Sequence, residues 1–188
     1  GNIRQGFLFR TDRGVAFVDR PGGGSTTANQ VVGSGAGTQL LYSPGRIDPT
    51  NAAFTTSRKP LAGEFTHNGR TLFVIANHFN SKGGDDPLYG RYQPPVLYSE
   101  VQRLLQASAV NGFVDNLLAA NPAANIVVLG DLNDFPWSNP LHALTGYPGT
   151  PVLHNLMEDL PENERYSYVY EGNSQALDHI LLSDALYS

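Results

Sequence analysis

Apolar positions along the chain follow two periods, and the places where one gives way to the other predict its elements. FLFR (7–10) and VAFV (15–18) flank TDRG (11–14), which predicts a short hairpin. PLAGEF (60–65) and RTLFVIANHF (70–79) flank HNG (67–69), and Asn-Gly takes the positive φ angles of a two-residue turn cheaply, so a second hairpin is predicted. From 99 to 120 the period becomes helical, with Val101, Leu104, Leu105, Phe113, Val114, Leu117 and Leu118 near helical spacing. Ser99 followed by Gln102 is a capping-box pattern, and Asn121-Pro122 closes the helix. IVVLG (126–130) is short, branched and continuously apolar, as a strand buried on both faces would be. Residues 140–144 predict a short helix, and YSYVY (166–170) with ALDHILLS (176–183) around EGNS predicts a third hairpin. Strands dominate, with one long helix between two of them.

Between these segments, residues 21–38 are rich in Gly, Ser and Thr and cannot bury much apolar surface. A long flexible surface loop is expected there. The 188 residues fit one domain or part of one. No apolar run approaches the ~18 residues of a membrane helix, and GNIRQGFLF lacks the basic start and apolar stretch of a signal peptide. Cysteine is absent, which excludes disulfides and thiolate metal sites, so any metal must be held by oxygen or imidazole. Charge is uneven: residues 1–94 carry ten Lys/Arg against six Asp/Glu, and residues 95–188 carry two against eleven. A polyanion would meet the first half more easily, although a solvated surface accounts for the same asymmetry.

Three apolar segments empty into chemistry. IVVLG runs into Asp131, Asn133 and Asp134, and Asp131 and Asn133 point the same way if the strand continues. A carboxylate and an amide there can take a proton, hold a hard cation or orient a water, or they can be an ordinary Asx-rich turn. RTLFVIANHF runs into His78, Asn80 and Lys82 on one period-2 face, a set able to bind phosphodiester oxygens and stabilise growing charge. For this cluster alone a satisfied strand-end histidine beside a solvated lysine is the simpler reading, and two such clusters at the ends of apolar strands shift the balance towards chemistry. In LDHILLS, Asp178 within a strand needs hydrogen bonds or a cation. Asp178 and His179 face opposite sides of their strand, so they form no dyad, and Asp178 is the residue expected to face the site.

VIANHFNSKGG, VVLGDLNDF and LDHILLS, in this order around a helix, resemble the endonuclease/exonuclease/phosphatase superfamily, the fold of pancreatic deoxyribonuclease. The longer run NHFNSKGGDDPLYGRYQPP, SEVQR and VVLGDLNDF looks most like its secreted bacterial nucleases. The resemblance implies an α/β fold, a two-layered β-sandwich flanked by helices, present here as a partial domain. It also implies metal-dependent phosphodiester hydrolysis, of DNA or RNA, outside the cell, with Mg2+ (or Mn2+; Ca2+ also suits) as the ion. By position, His78 matches the phosphate-contacting histidine, Asp131 the aspartate that orients or deprotonates the attacking water, and Asn133 its partner. Asp131 and Asn133 are the implied metal ligands, and Asn80 and Lys82 bind substrate. Asp178 matches the carboxylate that orients a histidine further downstream.

Family members also carry an early asparagine, an early metal-binding glutamate and a closing Ser-Asp-His, none of which is found in residues 1–188. Residues 1–188 are therefore expected to be the central and C-terminal part of one such domain, inactive alone and active when extended at both ends. A phospholipid or phosphoinositide phosphoesterase of the same fold, or a catalytically incomplete fragment, are the alternatives.

Overall fold

The computed structural model describes residues 3–188. In chain order the strands and helices are β1 (Val15–Phe17), β2 (Val31–Val32), β3 (Gln39–Leu40), β4 (Gly45–Arg46), β5 (Leu61–His67), β6 (Arg70–His78), α1 (Glu100–Ala120), β7 (Ile126–Asp131), α2 (Asn139–Thr145), β8 (Leu153–Asn155), β9 (Tyr168–Tyr170), β10 (Asn173–Gln175), β11 (Asp178–Ser183) and α3 (Asp184–Tyr187). The architecture is mixed α/β, a central multi-stranded sheet flanked by helices. The sheet runs β1-β5-β6-β7-β11-β8, and β4 pairs with β5 beside β1. Only β6 and β7 are parallel, as the crossover through α1 allows. Among the described residues the further sheets are two-stranded ribbons, β2 with β3 and β9 with β10, rather than a second broad layer. No helix is long and apolar enough to cross a membrane among these residues.

The core lies between one face of the sheet and the two longer helices. Phe73 and Ile75 of β6, Ile126 and Val128 of β7 and Leu181 of β11 pack with Val110, Val114 and Leu117 of α1 and Leu141 and Leu144 of α2. Each such side chain contributes about 1.5–3 kcal/mol by leaving water. Strand alternation sends the neighbouring side chains to the opposite face, where Val74, Val127 and Leu129 are half-buried and Ile180 is exposed. IVVLG is thus buried on one face rather than on both, because the helices cover only one side.

The β5–β6 hairpin forms as predicted. His67 faces Arg70, and Asn68 and Gly69 take the positive φ angles of 49° and 79°. The helix also runs where its period places it, but its start differs. Ser99 has helical backbone angles and makes no side-chain cap. Instead its N–H and hydroxyl both donate to the Asp85 carboxylate at 2.7 Å, and Gln102 donates to the Ala53 carbonyl. The capping box is therefore replaced by a tie between the helix start and the preceding loop. Val101 and Leu105 are 65% and 54% exposed, and the buried stripe runs instead through Arg103, Gln106, Ala107, Val110, Phe113, Val114 and Leu117.

Two predicted hairpins are paired differently. Residues 7–10 form no strand, and β1 pairs with β5, Val15 opposite His67. The Phe7 and Phe9 rings lie edge-on against Phe65 at 5.3 Å, so apolar burial rather than a ladder holds that segment. At the other end β9 turns through Glu171-Gly172 onto β10, and β11 leaves that hairpin to lie between β7 and β8. The central sheet offers β11 two partners, which outweighs one exposed hairpin. The loop 21–38 is mostly exposed, as expected, but Asn29 pins its end by donating to the Tyr42 carbonyl and accepting from the Gln30 and Tyr42 N–H groups.

Candidate active site

Three adjacent strands bring the acidic and imidazole side chains together at one end of the sheet. In register, His78 at the end of β6 faces Asp131 at the end of β7, and Asp131 faces Asp178 at the start of β11. His78 Nε2 is 3.5 Å from Asp131 Oδ2, so the two share the face opposite α1. Gly130 makes the close approach possible. Its φ is 129°, and a Cβ there would lie 2.0 Å from the Asn77 carbonyl oxygen.

The strand conformation stops at Asp131, which corrects the expectation that Asn133 would share its face by alternation. Asn133 adopts a φ of 52°, and its N–H donates to Asp131 Oδ1 at 2.9 Å, an Asx turn that fixes the carboxylate. Its side-chain Nδ2 donates to the Phe79 carbonyl at 3.0 Å, and Leu132 between them is wholly buried. Asp178 is exposed rather than buried, with Ser167 Oγ accepting from its N–H, so the desolvation cost anticipated for a carboxylate in a strand does not arise.

His179 faces the helix side, as alternation requires. It is buried, its Nε2–H donates to the Asp134 carbonyl at 2.9 Å, and Asn155 Nδ2 donates to its Nδ1. These partners define a neutral ring that supports the site loop from behind. Asn80 and Lys82 do not extend the His78 face, because β6 ends at His78. The Asn80 N–H donates to Gln106 Oε1, and Lys82 Nζ lies 3.3 Å from Asp134 Oδ1 and over the Phe135 ring. Lys82 is engaged in the scaffold of the loop.

Two residues that brace the loops around the site escaped the sequence reading. Arg58 donates to the Phe79 carbonyl, the same oxygen that Asn133 uses. It sits in a polar loop, TTSRK, that carries no local signal. Arg103 is wholly buried and donates to Asp134 through Nε at 2.6 Å and to Asp85 through Nη2 at 3.2 Å. Its position three and four residues before Gln106 and Ala107 marks it as part of the buried stripe.

Burial dominates the site's protonation. It raises the Asp131 pKa above the ordinary carboxylate range, against the hydrogen bond from Asn133 and the attraction of His78. It lowers the His78 pKa, with the charge of Arg58 adding to the effect and Asp131 and Asp178 opposing it. Arg58 is lowered by burial, against the pull of Asp131. The arrangement therefore pairs a carboxylate of increased basicity with a largely neutral imidazole at neutral pH. Among the described residues no three His, Asp or Glu side chains form a group that could hold a metal ion. Asp131 and Asn133 still present the oxygen donors that hard cations take, and Mg2+ keeps several waters, so one or two protein ligands fit a hydrated ion.

A family model described as Endonuclease/Exonuclease/phosphatase family matches residues 42–188. No curated protein sequence matches the chain. Among solved structures, the human Nocturnin catalytic domain with bound sulfate is 14% identical with a TM-score of 0.52, covering 94% of this chain and 50% of that one. Humanized D. rerio TDP2 is 18% identical with a TM-score of 0.51, covering 95% and 56%. D. rerio TDP2 complexed with single-strand DNA product is 17% identical with a TM-score of 0.50, covering 95% and 57%. These likenesses are of fold, and the chain spans about half the length of the structures it matches.

Proposed function

The chain belongs to the Endonuclease/Exonuclease/phosphatase family, and from that membership and the site we propose that it serves metal-dependent hydrolysis of a phosphodiester in DNA or RNA. The observation that carries the reading is the contact of His78 with Asp131 beside Asp178, across three strand ends. Asp131, held by the Asn133 N–H and made more basic by burial, orients the attacking water and takes its proton. The water oxygen bonds to phosphorus as the bond from phosphorus to the leaving oxygen breaks. His78, neutral at neutral pH, donates an N–H to a non-bridging phosphoryl oxygen, and the nearby Arg58 charge stabilises what develops there. Asp178 orients the histidine that the family resemblance assigns to it.

Mg2+ or Mn2+, with Ca2+ as a further option, would be held by Asp131 and Asn133 and would polarise a phosphoryl oxygen. The D. rerio TDP2 of like fold, solved with single-strand DNA product, supports a nucleic-acid substrate. Action outside the cell rests on the resemblance to secreted bacterial nucleases alone. The test is cleavage of plasmid DNA, single-stranded DNA and RNA, with and without chelator, by the 188-residue chain and by a polypeptide extended at both ends. The reading expects chelator-sensitive cleavage by the extended form that Asp131→Ala abolishes. Cleavage that survives both chelator and Asp131→Ala would overturn it.

A further inference from the structure

Between Asp86 and Val96 the chain makes a closed loop that stays outside the core. The Asp86 N–H donates to the Val96 carbonyl and the Val96 N–H to Asp86 Oδ2, both at 3.0 Å, which shuts the neck. At the tip the Gly90 N–H donates to the Pro87 carbonyl at 3.0 Å, a turn that puts Leu88 and Tyr89 at its corner. Gln93 Nε2 braces this turn by donating to the Leu88 and Gly90 carbonyls at 2.9 and 3.0 Å. No residue from 87 to 98 is buried, and Tyr89 and Tyr92 are 89% and 59% exposed. The Arg91 guanidinium lies over the Tyr92 ring, 4.6 Å from its centroid, and donates to the Tyr92 hydroxyl. Ordering such a loop costs conformational entropy and returns little apolar burial, so the stability of the fold does not account for its form.

The loop is fixed at the end of the sheet that carries the site. β6 and β7 are parallel, so the segments that follow His78 and Asp131 leave the sheet side by side. Asp85, next to the neck, accepts from Arg103 Nη2 at 3.2 Å, and the Nε of the same guanidinium holds Asp134 at 2.6 Å. Arg91 is the only charged residue in 87–98. The acids at the neck are spent, Asp85 on Ser99 and Arg103 and Asp86 on the Val96 N–H. The loop therefore displays two flat rings and one planar cation with no competing carboxylate, a surface that suits a ligand both planar and anionic. An anionic membrane is held by clusters of about 4–8 Lys/Arg, and this loop has one.

We propose that this loop is a base-stacking subsite, in which Tyr89 and the Arg91–Tyr92 pair take unpaired bases of the nucleic-acid strand whose phosphodiester lies at Asp131 and His78. The inference rests on the reading of that site as a phosphodiesterase centre and adds the form of the substrate, a strand with its base faces open. Every base has a π face, so stacking on such rings is tolerant of sequence. In a duplex those faces are covered by neighbouring base pairs, and single strands and frayed ends are the substrates the loop favours. The contact is to the base and not to the backbone, so a strand without bases loses it.

The experiment titrates the 188-residue chain against a fluorescent oligothymidylate and against an abasic oligonucleotide of the same length, read by anisotropy in chelator at low salt. Tyr89→Ala combined with Tyr92→Ala is expected to weaken oligothymidylate binding about tenfold or more and to leave abasic binding unchanged. Tyr89→Phe with Tyr92→Phe, which keeps both rings, is expected to retain most of the affinity. Urea midpoints of all variants establish that each is folded. Unchanged oligothymidylate affinity in the folded alanine variant would overturn the proposal. An equal loss on the abasic strand would do the same, by assigning the tyrosines to the backbone. So would wild-type binding of oligothymidylate no tighter than of the abasic strand, or an alanine variant that loses binding to vesicles of phosphatidylserine and phosphatidylcholine but keeps its affinity for DNA. Because binding is read without turnover, its outcome stands apart from the cleavage assay, and surviving hydrolysis in Asp131→Ala would remove the site reading alone.

Discussion

Asp134, three residues beyond Asp131, is gripped by a guanidinium that no solvent reaches: Arg103 Nε donates to its Oδ2 at 2.6 Å. Arg103 also donates to Ser99 Oγ and to the Asn80 and Ser81 carbonyls, so one side chain ties α1, the loop after β6 and the loop after β7. The Asp131 carboxylate and the Asn133 amide are placed by that junction. Removing Arg103 leaves Asp134 and Asp85, both almost fully buried, without their main cation. Arg103→Met is expected to cost about 3–5 kcal/mol, the loss typical of breaking one partner from a buried pair. Arg103→Lys recovers little of it, because a point charge cannot reproduce the fork of donors. Urea denaturation midpoints of the two variants check both statements.

Gly130→Ala tests the close approach of β6 and β7. A Cβ would sit 2.0 Å from the Asn77 carbonyl oxygen, at a φ of 129° that L-residues rarely adopt. The strands must separate beside His78 and Asp131. A loss of at least about 2 kcal/mol is expected from strain and the broken ladder together. Near-wild-type melting of the alanine variant would show that the strands part without cost.

Stability is expected to fall on acidification from about pH 6.5, the ordinary imidazole range. His78 and His179 both have pKa values lowered chiefly by burial. The unfolded chain therefore binds more protons than the native one as pH drops through that range, and the native state loses stability. Asp131 works in the opposite sense at lower pH, since its raised pKa lets the native state take up a proton before the unfolded one does. Urea midpoints at pH 8 and pH 5.5 measure the difference. His179→Gln is expected to flatten it, and an unchanged pH slope in that variant would assign the effect elsewhere.

In whichever form the cleavage assay shows to be active, Asp131→Ala and His78→Ala are each expected to lower turnover by about 10²-fold or more, with smaller effects on substrate affinity. Groups that act in the transition state change kcat more than binding. Turnover should also rise with pH along an acid limb displaced above the ordinary carboxylate range, the direction in which burial moves Asp131. Separate measurement of kcat and KM across pH checks these outcomes, and a loss confined to KM would recast both residues as binding groups.

Local pattern was enough to determine the β5–β6 hairpin, α1, β7 and the opposite facing of Asp178 and His179, because turn chemistry and side-chain period act within a few residues. The same reasoning placed His78 and Asp131 at strand ends. What it could not decide was which strand would pair with which. Residues 15–17 could have closed on 7–10 or on 65–67, and 178–183 on the preceding hairpin or on β7. Both choices satisfy alternation, and only the competition for sheet partners and apolar burial selects between them. Asn133 left the strand because the Asp131 carboxylate and the Phe79 carbonyl offered its N–H and amide partners in a turn. The partners of Arg58 and Arg103 are carbonyls and carboxylates from 18 to 31 positions away, which no local pattern announces. Partners so distant in sequence meet only when the sheet and helix pack, and the buried ion pairs are products of that packing.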